Sequence, residues 1–145
     1  MTISASELQE KIRSNIPLSE TMQFEIVGLN DDSIHVHAPL APNVNIHGTG
    51  FAGSIYSLAV LTGWAMVSYI MELHGIEGDL VVGKAEIKYR LPVTGDIDCR
   101  CLVNKMERQV FIDRFKQHRK SKLELSVIVG ENNNAVLTGG YFVVG

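Results

Sequence analysis

The decapeptide NIHGTGFAGS, Asn45 to Ser54, gathers an amide, an imidazole, two hydroxyls and three glycines ahead of a long apolar run. An amide or hydroxyl side chain can orient a water or a polarised carbonyl. His47 is the only nearby side chain of a type that titrates near neutrality, which makes it the candidate general base. Backbone amides left unpaired at a helix N-terminus carry about half a positive charge and suit a developing oxyanion. Gly48, Gly50 and Gly53 mark a place where the backbone turns closely before the helix, which leaves amides of that kind within reach. Ser57, one turn further on, can hydrogen-bond a water. Each residue also has a plainer reading. Asn45 can satisfy backbone groups of its own loop, His47 can face solvent, and Ser54 is expected to cap the helix first and meet a ligand second.

The element behind these residues is unusual. No Asp, Glu, Lys or Arg occurs from Ser33 to Met71. The continuously apolar part runs only from Ile55 to Met71. A membrane span must cross roughly 30 Å of hydrocarbon, and this run is at the short end of what that requires. It contains Ser57, Thr62, Gly63 and Ser68 and has no basic flanks. Small and polar residues set among large ones fit a helix enclosed by protein on all sides. A central buried helix from about Ser54 to Leu73 is expected, with no membrane partner.

The rest of the chain must enclose it. Ser4-x-x-Glu7 is a capping-box pattern, and Leu8 and Ile12 share a helical face. Residues 4–15 therefore predict a short amphipathic helix stopped by Pro17. Residues 24–29 and 33–40 are β-rich runs around the turn Asn30-Asp31-Asp32. Beyond the long helix, residues 80–91 alternate, with Val81, Ala85, Ile87 and Tyr89 on one face and Val82, Lys84, Glu86, Lys88 and Arg90 on the other. Strands are also expected at 97–104, 123–129 and 135–144, and a short helix at 107–119. One helix against three or four further antiparallel strands defines a single α+β domain over residues 1–145.

Composition narrows the chemistry. The 145 residues are 46% hydrophobic and 20% charged, with net charge −3. A folded domain is expected, and no overall basic field recruits nucleic acid. Cys99 and Cys101 match neither a zinc spacing nor CxxC and read as reduced, partly buried thiols. His35 and His37 alternate on a strand without a metal-ligand pattern, so no metal is expected. MTISASELQEKIR has no basic segment followed by an apolar one, and a cytoplasmic location is expected.

Two stretches resemble a known family, the hotdog-fold acyl-CoA thioesterases. Residues 45–53 are similar to the pattern N-x-x-G-T-x-H-G-G that precedes the central helix in many of them, and residues 87–96, IKYRLPVTGD, to the strand–Pro–Gly-Asp junction that follows it. Gly53-Ser54 and Leu58-Ala59-Val60-Leu61-Thr62-Gly63-Trp64 resemble most closely the thioesterase domain attached to an acetyltransferase domain in some bacterial proteins. The resemblance implies a hotdog fold, in which a curved antiparallel sheet wraps the central helix. It also implies hydrolysis of an acyl-CoA or acyl-carrier-protein thioester, with CoA present only as part of the substrate and no separate cofactor. A homodimer or dimer of dimers with sites at the subunit interface follows from the same likeness.

In that frame Asn45 orients water or thioester, and the Gly53 N–H receives the thioester oxygen. Phe51, Ser54 and Tyr56 line the substrate site, and Lys84, Lys88 and Arg90 are cations available to CoA phosphates. Three departures stand out. Phe51 replaces the usual His, Ala52 the first Gly, and Val60 occupies the place of the helical carboxylate, with no acid on the helix before Glu72. A pocket without that carboxylate also fits a non-catalytic acyl-CoA-binding module. An acyl dehydratase fits less well, lacking both the Asp-x4-His pattern and a helical Glu.

Overall fold

A computed structural model describes residues 2–145. In chain order the elements are α1 (Ala5–Asn15), α2 (Pro17–Met22), β1 (Glu25–Asn30), β2 (Ser33–Ala38), a 3-10 turn (Ala41–Asn43), α3 (Ala52–Leu73), β3 (Asp79–Tyr89), β4 (Ile97–Leu102), α4 (Lys105–His118), β5 (Lys120–Val129) and β6 (Ala135–Val144). The strands form one antiparallel sheet in the order β1-β2-β4-β5-β6-β3, which leaves β1 and β3 as its edges. This is the hotdog arrangement, a long central helix held by a six-stranded sheet.

The organising element is α3. Its core-facing residues, among them Leu58, Ala59, Ala65, Met66, Val67 and Ile70, are fully buried against the sheet. Alternate strand residues such as Val127, Val129, Leu137, Tyr141 and Val143 supply the opposite wall. The helix is long and apolar enough to cross a membrane by length and composition, yet 72% of its most apolar window is buried in this fold. It is the core helix of the domain.

Burial is not complete around α3. Tyr56, Ser57, Val60 and Trp64, spaced by about one turn or less, form a half-buried stripe. Beside it runs edge strand β3, whose central residues are largely exposed. Leu80, Ala85 and Ile87 are its partly buried residues, and Val81 is half-exposed. Simple alternation places Val81 inside; the structure does not, because the pairing with β6 shifts by one between Val82 and Lys84. The bulged residue is Gly83, where a Cβ would collide with the Phe142 ring.

Local chemistry explains most boundaries. Ser4 and Glu7 form the reciprocal cap of α1, each accepting the other's backbone N–H at 3.1 Å. Pro17 does end α1, but it also opens α2 as that helix's first residue, where its missing N–H costs nothing. Asn104 leaves β4 and caps α4, accepting N–H bonds from Met106 and Glu107. That helix therefore begins two residues before the pattern at 107–119 implies.

A close contact lies where α3 crosses β6. The Tyr141 hydroxyl donates to the Val60 carbonyl at 2.8 Å, and Gly63 provides the space, since a Cβ there would overlap the phenol. Burial pushes the Tyr141 phenol's pKa up, so the group stays a neutral donor. Gly63→Ala sets two effects against each other. Removing a helical glycine gains up to about 1 kcal/mol, while overpacking a core typically costs about 1–3 kcal/mol. The overlap with a fully buried ring makes the second effect win. Gly63→Ala should lower the urea midpoint, and Tyr141→Phe should cost about 1 kcal/mol by equilibrium denaturation.

Candidate active site

The first turn of α3 and the loop before it bring the two sequence stretches together. Phe51 is the residue before the helix, in extended conformation, and its N–H is taken by the Asn43 carbonyl at 2.7 Å. The first intrahelical bond runs from the Ile55 N–H to the Phe51 carbonyl. Phe51 offers no side-chain acceptor, so the helix has no side-chain cap. The N–H groups of Ala52, Gly53 and Ser54 consequently have no partner among the described residues. Ser54 is not the cap that its type suggests. The helix starts two residues earlier because the Phe51–Asn43 bond turns the chain there, leaving Ser54 as the third helical residue.

Loop 43–51 is stiffly held. The Asn45 carboxamide oxygen accepts the N–H groups of His47 (2.8 Å) and Thr49 (3.1 Å). Its nitrogen donates to the Thr49 hydroxyl (2.9 Å) and the Gly50 carbonyl (3.3 Å). Both amide hydrogens and both oxygen lone pairs are therefore engaged within the loop. Asn43 lies buried beneath, donating to the Met22 and Pro39 carbonyls.

Two bonds then join this loop to the β3–β4 junction. The Gly50 N–H donates to the Val93 carbonyl at 2.8 Å, and the Tyr89 hydroxyl donates to the Ala52 carbonyl at 2.8 Å. Asp96 closes the junction by accepting the Leu40 N–H and contacting His37, each at 3.1 Å. The Leu40 bond, followed by the His37 contact, holds the Asp96 carboxyl below its usual range.

The candidate residues separate into two groups. Asn45, Phe51, Gly53, Ser54, Tyr56 and Ser57 gather around the loop and the first turns of α3. His47 is exposed on the same loop. The Phe51 ring lies over Gly53, where a Cβ would come within 2.5 Å of it. Lys84 and Lys88 stand on the exposed face of β3, opposite the partly buried Ala85 and Ile87. Arg90 follows the strand end, its N–H bonded to the Asn134 carbonyl.

Tyr89 belongs to the first group, although its position in a strand gives no hint of it. Its phenol pKa is raised, first by burial and then by the nearby Tyr56. Val60 lies midway along the half-buried stripe and brings no carboxylate to it. The two thiols bring no nucleophile either. Burial pushes both Cys99 and Cys101 up to about 12, so neither forms appreciable thiolate at neutral pH. The arrangement leaves the N–H groups of Ala52, Gly53 and Ser54, unpartnered among the described residues, at the head of the half-buried stripe of α3.

Comparison with known proteins agrees with this fold. A "putative thioesterase" from Shewanella oneidensis is 36% identical, with 97% of each chain covered and a TM-score of 0.83. A protein of unknown function from Chlorobaculum tepidum is 27% identical over 97% of this chain and 93% of its own, with a TM-score of 0.92. A thioesterase from Haemophilus influenzae shares the fold at 16% identity, covering 100% of this chain and 93% of its own with a TM-score of 0.74. The model of the family described as "Putative thioesterase (yiiD_Cterm)" matches residues 5–145, and the chain belongs to that family, a hotdog-fold group of thioesterase type.

Proposed function

We propose that this protein hydrolyses the thioester of an acyl chain carried by CoA or by acyl carrier protein, as a homodimer with its sites at the subunit interface. The observation that carries this reading is the uncapped start of α3, three free amides opening onto the stripe of Tyr56, Ser57 and Val60. Water adds to the thioester carbonyl, the oxyanion is held by the Gly53 N–H and its neighbours, and the C–S bond breaks. The products are a carboxylate, a free thiol and a proton. Removing one preorganised oxyanion donor typically costs about 100–1,000-fold in rate, so amides of this kind supply a large part of such a reaction. His47 is the base we assign. Asn45 acts through the loop, since all its polar valences are spent in holding it. Lys84, Lys88 and Arg90 stay in solvent, where they meet carrier phosphates outside the groove.

Subunit pairing follows from what one chain leaves open. β3 is an 11-residue edge strand with unpaired backbone groups, flanked by the half-buried stripe of α3. Natural proteins rarely leave such an edge uncovered. Loop residues Val44, Ile46 and Phe51 are exposed as well, Ile46 at 95%. We assign all three surfaces to the partner subunit. A cytoplasmic location accords with the two free thiols.

A second reading has its own observation. Val60 leaves the groove without a carboxylate, as suits a module that binds acyl-CoA and does not cleave it. Thiol release from acetyl-, medium-chain and aromatic acyl-CoAs and from acyl carrier protein decides between the two, set beside calorimetric binding of the same ligands. Release is expected; tight binding with none would leave the binding module.

Asn45→Ala should lower kcat by about 100-fold, the scale associated with a small misplacement of a reacting group. His47→Ala should remove the acid limb of the pH–rate profile, and an unchanged profile would assign the base elsewhere. Sedimentation equilibrium at micromolar concentration should give a dimer, and Val82→Lys on the open edge should shift it toward monomer.

A further inference from the structure

We propose that Trp64 closes the far end of the acyl groove and sets the length of chain this protein accepts. The inference rests on the reading of the α3 N-terminus as the thioester carbonyl site. From Gly53 the half-buried stripe descends through Ser57 and Val60 to Trp64. That descent is roughly 16 Å along the axis, at a helical rise of about 1.5 Å per residue. At its foot the indole crosses from helix to edge strand, and its Nε1–H donates to the Leu80 carbonyl at 3.2 Å.

Below the indole lies a hollow of about 730 Å³ open to solvent, lined on the helix side by Trp64, Ser68 and Met71 and on the other by Ile76, Leu80 and Val81. Trp64 alone belongs both to the half-buried stripe and to the lining of this hollow. A chain running down the stripe from the amides therefore meets the indole before it reaches the hollow. A large ring with its one polar atom bonded to backbone has a fixed orientation, so it acts as a floor and not as a flexible lining.

The chemistry on either side defines the chain that fits. Above the indole, Val60 presents only methyl groups where a carboxylate would have made the groove polar. The hollow beyond has an acidic rim, with Glu72, Glu77 and Asp79 against the single Lys11, which stands 3.8 Å from Glu72. A chain ending in a negative charge is excluded there. The substrate class is a neutral, apolar acyl chain short enough to end at the indole. Shortening Trp64 joins the groove to the hollow below.

The test is a saturated acyl-CoA series from acetyl to palmitoyl, read by thiol release and by calorimetric binding, with wild type, Trp64→Leu, Trp64→Phe and Trp64→Leu/Ser68→Phe. Wild type should show a chain length beyond which kcat/KM and affinity fall sharply. Trp64→Leu should raise the long-to-short ratio by about tenfold or more, the scale of one added methylene in an apolar pocket. Trp64→Phe should move it the same way by less, and is the variant to read if Trp64→Leu does not fold. Ser68→Phe in the Trp64→Leu background should refill the space and restore the wild-type limit. A wild-type limit that stays in place in both single variants overturns the role of Trp64 and leaves the thioester site standing. A wild type that neither binds nor cleaves any member overturns the thioester site, and this inference with it.

Discussion

Enclosing α3 is the constraint from which the remaining structure follows. A 22-residue helix with no charge before Glu72 cannot be left in water, and one flat sheet face covers only part of a helix. Six antiparallel strands hold it instead, and their inward residues are almost uniformly apolar. The fit is close enough that one glycine, Gly63, admits the Tyr141 hydroxyl to a main-chain carbonyl. That contact fixes the height of the helix against β6, and so the position of the first turn relative to loop 43–51.

Burying the helix leaves two features that a core element rarely shows. Its N-terminus has three amides without a partner among the described residues, because Phe51 turns the chain without supplying a cap. One stripe of its surface, from Tyr56 to Trp64, remains half-open beside edge strand β3. Side chains cap two of the other helices, Ser4 with Glu7 at α1 and Asn104 at α4, while the short α2 opens on Pro17 without one. Of the three helices longer than two turns among the described residues, α3 is the one that starts without a side-chain cap. Functional sites are where local rules of this kind tend to be relaxed.

Loop 43–51 shows how a polar side chain serves a site without pointing into it. Asn45 has four hydrogen bonds, all within the loop, and Gly50 ties that loop to Val93 across the junction. Tyr89 fastens the end of β3 to the first turn of α3. The last two bonds connect segments distant in the sequence, and together with the loop's own they hold the amides in a fixed place. Preorganisation here comes from backbone restraint, as electrostatic stabilisation of a developing charge requires.

Much of this was legible in the residues. The absence of charge from Ser33 to Met71 marked a core helix, and the turn at Asn30-Asp31-Asp32 and the capping box at Ser4 determined their elements locally. The motif at 45–54 singled out the start of α3. Other features depended on contacts between distant segments, which no local pattern encodes. The Gly83 bulge turned Val81 outward, since strand register depends on the partner strand and not on alternation alone. Ser54 lost its expected capping place to the bond between Phe51 and Asn43. Tyr89 came to the site through a hydroxyl reaching Ala52, 37 positions away. The placement of Lys84 and Lys88 opposite Ala85 and Ile87, by contrast, follows the plain alternation of that stretch. The sequence by itself determined which segment had to be buried and which residues stood at its entrance. Only the tertiary structure decided which amides stayed free and which side of the helix stayed open, because both depend on where distant backbone groups find their partners.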